Sequence, residues 1–157
     1  MAIVVRQGTE LDWDFIKEGL VEGARLTVRP ENRSELSIEK LKLEADQSVE
    51  KYHVKAERPE TTFVAEADGQ KAGCVWVTTE ISLHDGSSCG WVLIVYVRPE
   101  FRRQGIGALL LKKAEDWTRE QKAGALWLNA GAENKAALAL YESVGFSVET
   151  VHMSKTL

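Results

Sequence analysis

The sequence predicts a mixed α/β sandwich, a sheet flanked by helices, and three observations carry that reading. Two amphipathic helical stretches stand between a short N-terminal β-rich segment and three further β-rich segments. Tight-turn residues separate those three segments, as hairpins require. The second half then runs helix, strand, helix, strand. The full order, β-α-α-β-β-β-α-β-α-β, fits a mixed sheet better than a purely doubly wound one.

Taken in order, residues 3–6 read as a first strand. Thr9 is placed to cap a helix whose apolar stripe is Trp13, Ile16, Leu20 and Ala24. Residues 29–33 read as a loop, and Ser37 caps a second helix with Ile38, Leu41, Ala45, Val49 and Tyr52 on one side. Residues 61–65 and 73–79 flank Asp68-Gly69 as the arms of a hairpin. A second turn at residues 84–88 leads into residues 91–97, a run with no polar interruption. Such a run suits a strand covered on both faces. Residues 105–122 form a helix with a buried stripe of Ile106, Leu109, Leu110, Ala114 and Trp117. Residues 125–129 read as a short buried strand, and residues 134–144 as a helix closed by Gly145. Residues 146–155 complete the chain as one or two strands.

A chain of 157 residues with 44% hydrophobic and 28% charged residues suits one soluble domain spanning residues 1–157. The net charge of −4 is spread over interspersed acids and bases, which argues against a nucleic-acid surface. Cys74 and Cys89 stand alone, without disulfide or metal-ligand spacing, and His53, His84 and His152 are scattered, so no metal is expected. The N-terminus lacks the form of a secretory leader and no window is apolar enough to span a bilayer. The expectation is a reduced, cytoplasmic protein with no membrane partner.

The chemistry concentrates after the apolar run. Arg102 and Arg103 occupy a loop that ends at Gly105 and Gly107, the opening of a long helix. The first N–H groups of a helix have no intrahelical partner and, with the helix dipole, favour an anion. Each hydrogen bond to a charged group contributes about 1.5–3 kcal/mol, so three or four hold a pyrophosphate without metal. From the glycines alone, an ordinary helix start with a solvated Arg pair is an equal reading. The P-loop and dinucleotide fingerprints are both absent.

The spacing Val97-x-Pro99-x-x-Arg102-x-x-Gly105-x-Gly107 resembles the acetyl-CoA motif of the GNAT acetyltransferase superfamily. The resemblance implies a GNAT-type mixed, centrally splayed sheet flanked by helices, with acetyl-CoA as co-substrate. It implies that Arg102, Arg103, Gln104, Gly105, Ile106, Gly107 and Ala108 line the pyrophosphate site. It also implies that the backbone of Val95, Tyr96 and Val97 pairs with the pantetheine arm. Residues 134–146 are similar to the second family motif, N-x-x-A-x-x-x-Y-x-x-x-G-F, in the form found in ribosomal-protein and N-terminal-type N-acetyltransferases. On that resemblance Asn134 contacts the pantetheine arm and Tyr141 reaches the thioester sulfur. The seven-residue spacing puts the two on one helix face about 10.5 Å apart. A tyrosine near pKa ~10 transfers a proton to a thiolate near ~8.5 only uphill, so Tyr141 is expected to donate a hydrogen bond rather than give up its proton.

The resemblance implies acetyl transfer to a primary amine by direct attack on the thioester. Where family members often carry a glutamate base, this chain has Trp91 and Asn129. Glu80, near the end of a hairpin strand, is the substitute assigned as base, with Asp85 in the next turn as a second choice and exposed hairpin carboxylates as the plainer reading of both. The acceptor is a small-molecule amine or a peptide or protein amine, and Glu22, Arg25, Tyr52, Trp76 and Trp91 are the positions to inspect for its recognition. An acyl-CoA-binding sensor without turnover is the alternative, and a nucleotide-phosphate binder of another fold is a third reading. Residues 147–157 are short for a closing hairpin, and an unpaired edge of that kind favours a homodimer.

Overall fold

In the computed structural model, which describes residues 1–157, five strands form one open sheet in the order β1-β2-β3-β4-β5. The strands are β1 (Ile3–Gln7), β2 (Glu60–Ala67), β3 (Gln70–Ile81), β4 (Ser88–Val97) and β5 (Leu126–Trp127). All neighbours are antiparallel except β4 and β5, which are parallel. The helices are α1 (Trp13–Thr27), α2 (Ile38–Val49), α3 (Ile106–Glu120) and α4 (Lys135–Ser143).

Local chemistry explains the boundaries. Asp68 and Gly69 both take positive φ, 49° and 80°, as a two-residue hairpin turn between β2 and β3 requires. Thr9 caps a 3-10 turn over Glu10–Asp12 that runs straight into α1, and Ser37 accepts the Lys40 N–H to cap α2. Pro30–Glu35, expected as loop, winds into 3-10 turns. A π turn over Glu50–Val54 prolongs α2 and carries Tyr52 against Trp76.

Each face of the sheet holds its own core. On one face Val75, Val77 and Val92 meet Ile106, Leu110, Leu111 and Ala114 of α3, with Leu140 and Tyr141 of α4 at the margin. On the other, Cys74, Trp76 and Tyr96 meet Phe15 and Ile16 of α1 and Val49 of α2. The buried stripe of α3 therefore differs from the expected one: Leu109 is 46% exposed and Leu111 takes its place. α3 must face the sheet and α4 together, and that turns the stripe toward Gly107, Leu111 and Thr118. Trp76 is wholly enclosed in the core, so it is removed from the acceptor candidates.

Two strand expectations are corrected. The strand expected over residues 125–129 pairs only at Leu126 and Trp127. The tail expected as one or two strands carries no regular structure, and Val148, Val151 and Met153 are exposed. Strand propensity takes effect only through pairing with a neighbouring edge, and the tail pairs with none. The mixed sheet flanked by helices stands, with five strands rather than six.

The N-terminal elements are pinned by one buried carboxylate. Asp12 receives Arg6 through two hydrogen bonds of 2.8 and 3.1 Å, Lys71 Nζ at 2.7 Å and the Thr9 N–H at 2.9 Å. The Arg6 guanidinium holds this carboxyl far below the usual carboxylate range, against the opposing pull of burial. A depressed folded-state pKa stabilises at pH above the unfolded value near ~3.9 and loses that contribution as pH falls below it. Asp12→Asn is expected to lower unfolding free energy by about 2–3 kcal/mol at pH 7, roughly one charged hydrogen bond. In urea titrations the difference from wild type shrinks on acidification below about pH 4.

Candidate active site

β4 presents an open edge for most of its length. Its ladder with β5 consists of Gly90–Leu126 and Trp91–Trp127 alone. Beyond this fork the β3 register skips Leu93, since Trp76 faces Ile94 and Val77 faces Val92, so Leu93 is a β-bulge. The Arg98 N–H donates to the Ala72 carbonyl at 2.9 Å on the β3 side. Alternation along a strand then turns the main-chain polar groups of Val97 and Val95 to the opposite edge. The Arg102 Nε meets the Val97 carbonyl there, at 2.9 Å.

The loop that follows is shaped for an anion. Arg103 and Gly105 have φ of 61° and 78°, while Gln104 between them does not take positive φ. Alternation of this kind turns successive N–H groups into one concavity. The first intrahelical bond of α3 runs from the Leu109 N–H to the Gly105 carbonyl at 3.1 Å, and no protein acceptor takes the N–H of Gly105, Ile106, Gly107 or Ala108. A Cβ at Gly105 would touch nothing within 4 Å, so glycine is there for its backbone conformation. Gly107 is there for contact, since a Cβ would fall 2.7 Å from Leu140 of α4. The cradle fits a pyrophosphate, with Arg102 and Arg103 exposed beside it.

Arg98, at the root of the loop, is committed elsewhere. Its Nη2 and Nε reach Glu18 at 2.8 and 3.0 Å, and its Nη1 donates to the Lys71 carbonyl at 3.1 Å. The Tyr96 hydroxyl donates to the same Glu18 at 3.1 Å. Arg98 holds the Glu18 carboxyl below the usual range, and burial with Glu18 pushes Tyr96 up to about 12. Tyr96 thus faces α1 with its side chain, and its main-chain groups turn toward Cys74 of β3, so of residues 95–97 only Val95 and Val97 face the open edge. Glu18 was missed by sequence reasoning because nothing in a lone helical glutamate marks its partner 80 residues away.

The second motif folds as a capped helix. Asn134 is the cap of α4 rather than a member of its face: its Oδ1 accepts the Ala137 N–H at 3.2 Å, which leaves its side-chain NH₂ to donate. Tyr141 packs against the core and meets Phe146 edge to face, centroids 5.9 Å apart. Burial raises its pKa, so the phenol keeps its proton and full transfer becomes more uphill. Its hydroxyl has no hydrogen-bond partner within the protein, although two hydroxyls elsewhere in α3 and α4 show both cases: Ser143 donates to Leu140, while Thr118 is buried and unpaired.

Glu80 lies away from the loop. It pairs across strands with Cys89, so about 26 Å of strand separates it from Val97. Its Oε2 is 3.6 Å from Arg58 Nε. Glu80 and Trp91 are diagonal cross-strand neighbours on one face, near the fork. Asn129 is exposed, and Glu22 pairs with Arg25 on the surface of α1 at 3.2 Å. A cleft of about 450 Å³ lined by Phe63, Lys113 and Trp117 shares no residue with this stretch. No helix is long and apolar enough to cross a membrane.

Comparison with known proteins agrees on one family. The family model described as acetyltransferase (GNAT) matches residues 21–146. The [Ribosomal protein bS18]-alanine N-acetyltransferase of Escherichia coli (strain K12) is 42% identical over 57 residues, covering 36% of this chain and 38% of that protein. The streptothricin acetyltransferase of Streptomyces lavendulae is 35% identical over 92 residues, 55% of this chain and 44% of that protein. The chain thus matches less than half the length of these curated relatives. A solved structure from Pyrococcus furiosus, provisionally named an acetyl transferase, superposes with a TM-score of 0.81 at 25% identity, covering 99% of this chain and all of that one.

The loop geometry carries a direct expectation. Alanine at a left-handed position costs about 1–2 kcal/mol, so Gly105→Ala is expected to weaken coenzyme A binding by roughly 5–30-fold in titration calorimetry. Unchanged affinity would detach this loop from the pyrophosphate.

Proposed function

The chain belongs to the acetyltransferase (GNAT) family, and on that premise we propose that it moves the acetyl group of acetyl-CoA to a primary amine by direct attack on the thioester. The observation that carries the proposal is the continuity of one surface: the anion loop at residues 102–108, the open β4 edge at Val95 and Val97, and the fork at Trp91. Loop amides and the exposed Arg102 and Arg103 hold the pyrophosphate. The main-chain groups of Val95 and the Val97 N–H, with the Asn134 side-chain NH₂, hold an extended arm along β4 as an added strand would be held. The ladder to β5 closes at Trp91, so the reacting carbon lies near the bulge at Leu93.

Tyr141 remains protonated and donates a hydrogen bond that strengthens as charge builds on the departing sulfur. Glu80 serves as proton sink for the acceptor through water, since it stands on the same face as Trp91 and beside it. A lysine-like ammonium near pKa ~10.4 costs about 4–5 kcal/mol to deprotonate at pH 7, and an α-amino group near ~7.7–8.0 only about 1 kcal/mol. That difference mildly favours a peptide N-terminus among the acceptors. The relatives act on a ribosomal-protein alanine and on streptothricin by their names. For this chain the acceptor class is a small-molecule amine or a peptide amine. Trp91 and Asn129, at the two positions where family members often carry a glutamate base, favour a second reading as an acyl-CoA sensor without turnover.

Release of free thiol from acetyl-CoA in the presence of an amine or peptide panel tests the two readings together. Tight acetyl-CoA binding with no thiol release in any mixture would sustain the sensor. Tyr141→Phe is expected to lower kcat by about 10²–10⁴-fold with the acetyl-CoA KM little changed, and full retention of kcat would remove Tyr141 from the chemistry. The proposal includes a homodimer in which residues 147–157 find their neighbouring strand in a second copy. Sedimentation equilibrium is then expected to return twice the 17.5 kDa chain mass, and residues 1–146 alone to sediment as a monomer.

A further inference from the structure

At the fork between β4 and β5 the two faces of the sheet differ sharply. Val92 of β4, Leu126 of β5 and Leu128 just beyond it pack into the core beneath α3, which closes that face. Side chains alternate along a strand, so Trp91 and Trp127 project from the other face, where they are direct cross-strand neighbours. Both are half-buried. The β3–β4 turn folds onto Trp127: the His84 ring stacks on it at 5.3 Å between centroids and 18° between planes. The third tryptophan of this region, Trp76, is enclosed in the core and takes no part.

We infer that Trp91 and Trp127, backed by His84, form the acceptor platform and select amines that carry an aromatic group within a few bonds of the nitrogen. The inference rests on the acetyl transfer proposed above, which brings the reacting carbon to this fork. The core under α3 blocks one direction of approach, so the amine crosses the two tryptophans. Ionic selection is the weaker alternative, because the carboxylates nearby are already engaged. Glu80 faces Arg58 at 3.6 Å, and Asp85 Oδ1 accepts the Ser87 N–H and hydroxyl at 3.0 and 2.7 Å. What the platform offers is flat apolar area. Contacts between aromatic rings discriminate by about 2–10-fold beyond area alone. The chemistry is shared by a free arylalkylamine and by a peptide whose second residue is aromatic, and the two arms of the test separate these sources.

The test compares 2-phenylethylamine with propylamine, and an Ala-Phe peptide with an Ala-Gly peptide of equal length, by thiol release from acetyl-CoA. The expected result is a kcat/KM ratio of about 5–20 in at least one arm, falling toward 1 in Trp127→Ala and Trp91→Ala and retained in Trp127→Phe. A second readout is free of turnover: in saturating coenzyme A, calorimetry is expected to show the preferred acceptor binding at least fivefold more weakly to Trp127→Ala. Acetyl-CoA affinity of each variant reports that it has folded. Turnover with a ratio below 2 in both arms, or a ratio indifferent to Trp127→Ala, overturns the platform and leaves acetyl transfer standing. Acetyl-CoA binding without thiol release from any acceptor overturns acetyl transfer and the platform with it. Should the alanine variants fail to fold, the wild-type ratio and Trp127→Phe still decide.

Discussion

On its outer edge β4 is in register with a second strand only at Gly90 and Trp91, and much of the molecule is arranged around that short ladder. Gly90 is where α3 comes closest: a Cβ there would fall 2.4 Å from the Thr118 hydroxyl and 2.9 Å from Leu126. The missing side chain lets α3, β4 and β5 meet, and the ladder forms at that meeting point. Past Trp91, the bulge at Leu93 reorients β4 while β5 gives way to irregular chain. Unpaired strand edges are normally covered or blunted, because exposed N–H and C=O groups recruit partners. Here the edge is left available next to a loop whose amides also lack protein acceptors. Both features ask for the same kind of occupant, an extended polar chain that ends in phosphate.

Holding such an edge rigid falls to a set of partly buried carboxylates. Asp12 ties α1 to β1 and β3, and Glu18 ties α1 to the end of β4 through Arg98 and Tyr96. Glu60 accepts the Trp76 Nε1–H at 2.7 Å and lies 2.8 Å from His53 Nδ1, joining the π turn to β2 and β3. Burial works to lower the pKa of His53, but Glu60 and Glu10 outweigh it and the imidazole stays above its ordinary value. Ion pairs of this kind add little net stability over a well-packed apolar alternative, although removing one partner is costly because it strands the other charge. Their effect is positional. Each fixes an N-terminal helical element against a strand, and through Arg98 the effect reaches the root of the anion loop.

Much of this was legible in the sequence where a residue type answers a local backbone demand. Asp68-Gly69, Thr9, Ser37, Gly105 and Gly145 all sit where positive φ or an orphan N–H needs them. The anion loop was legible for the same reason. What escaped depended on relations between distant segments. An uninterrupted apolar run gives no sign of the bulge at Leu93, nor that its outer edge is open. Tryptophans look alike in sequence, yet Trp76 lies in the core while Trp91 and Trp127 stand at the fork. Leu109 and Leu111 exchanged roles because the helix answers to α4 as well as the sheet. The tail reads as a strand, but a strand is a property of two segments, and the tail is paired with no second one.

The brevity of the β4–β5 ladder has a dynamic side. Two residue pairs are a small fraction of what joins β2, β3 and β4, where the register runs over eight or nine residues. Local openings draw on the least-bonded elements first and need not disturb the rest. The wall made by β5 is therefore held beside β4 less by its ladder than by Leu126 and Leu128, whose side chains pack into the core beneath α3. A ligand wedged between two strands is hard to release from a rigid slot. Two bridging pairs resist widening less than the eight or nine of the hairpins, so any loosening of the sheet begins at the fork.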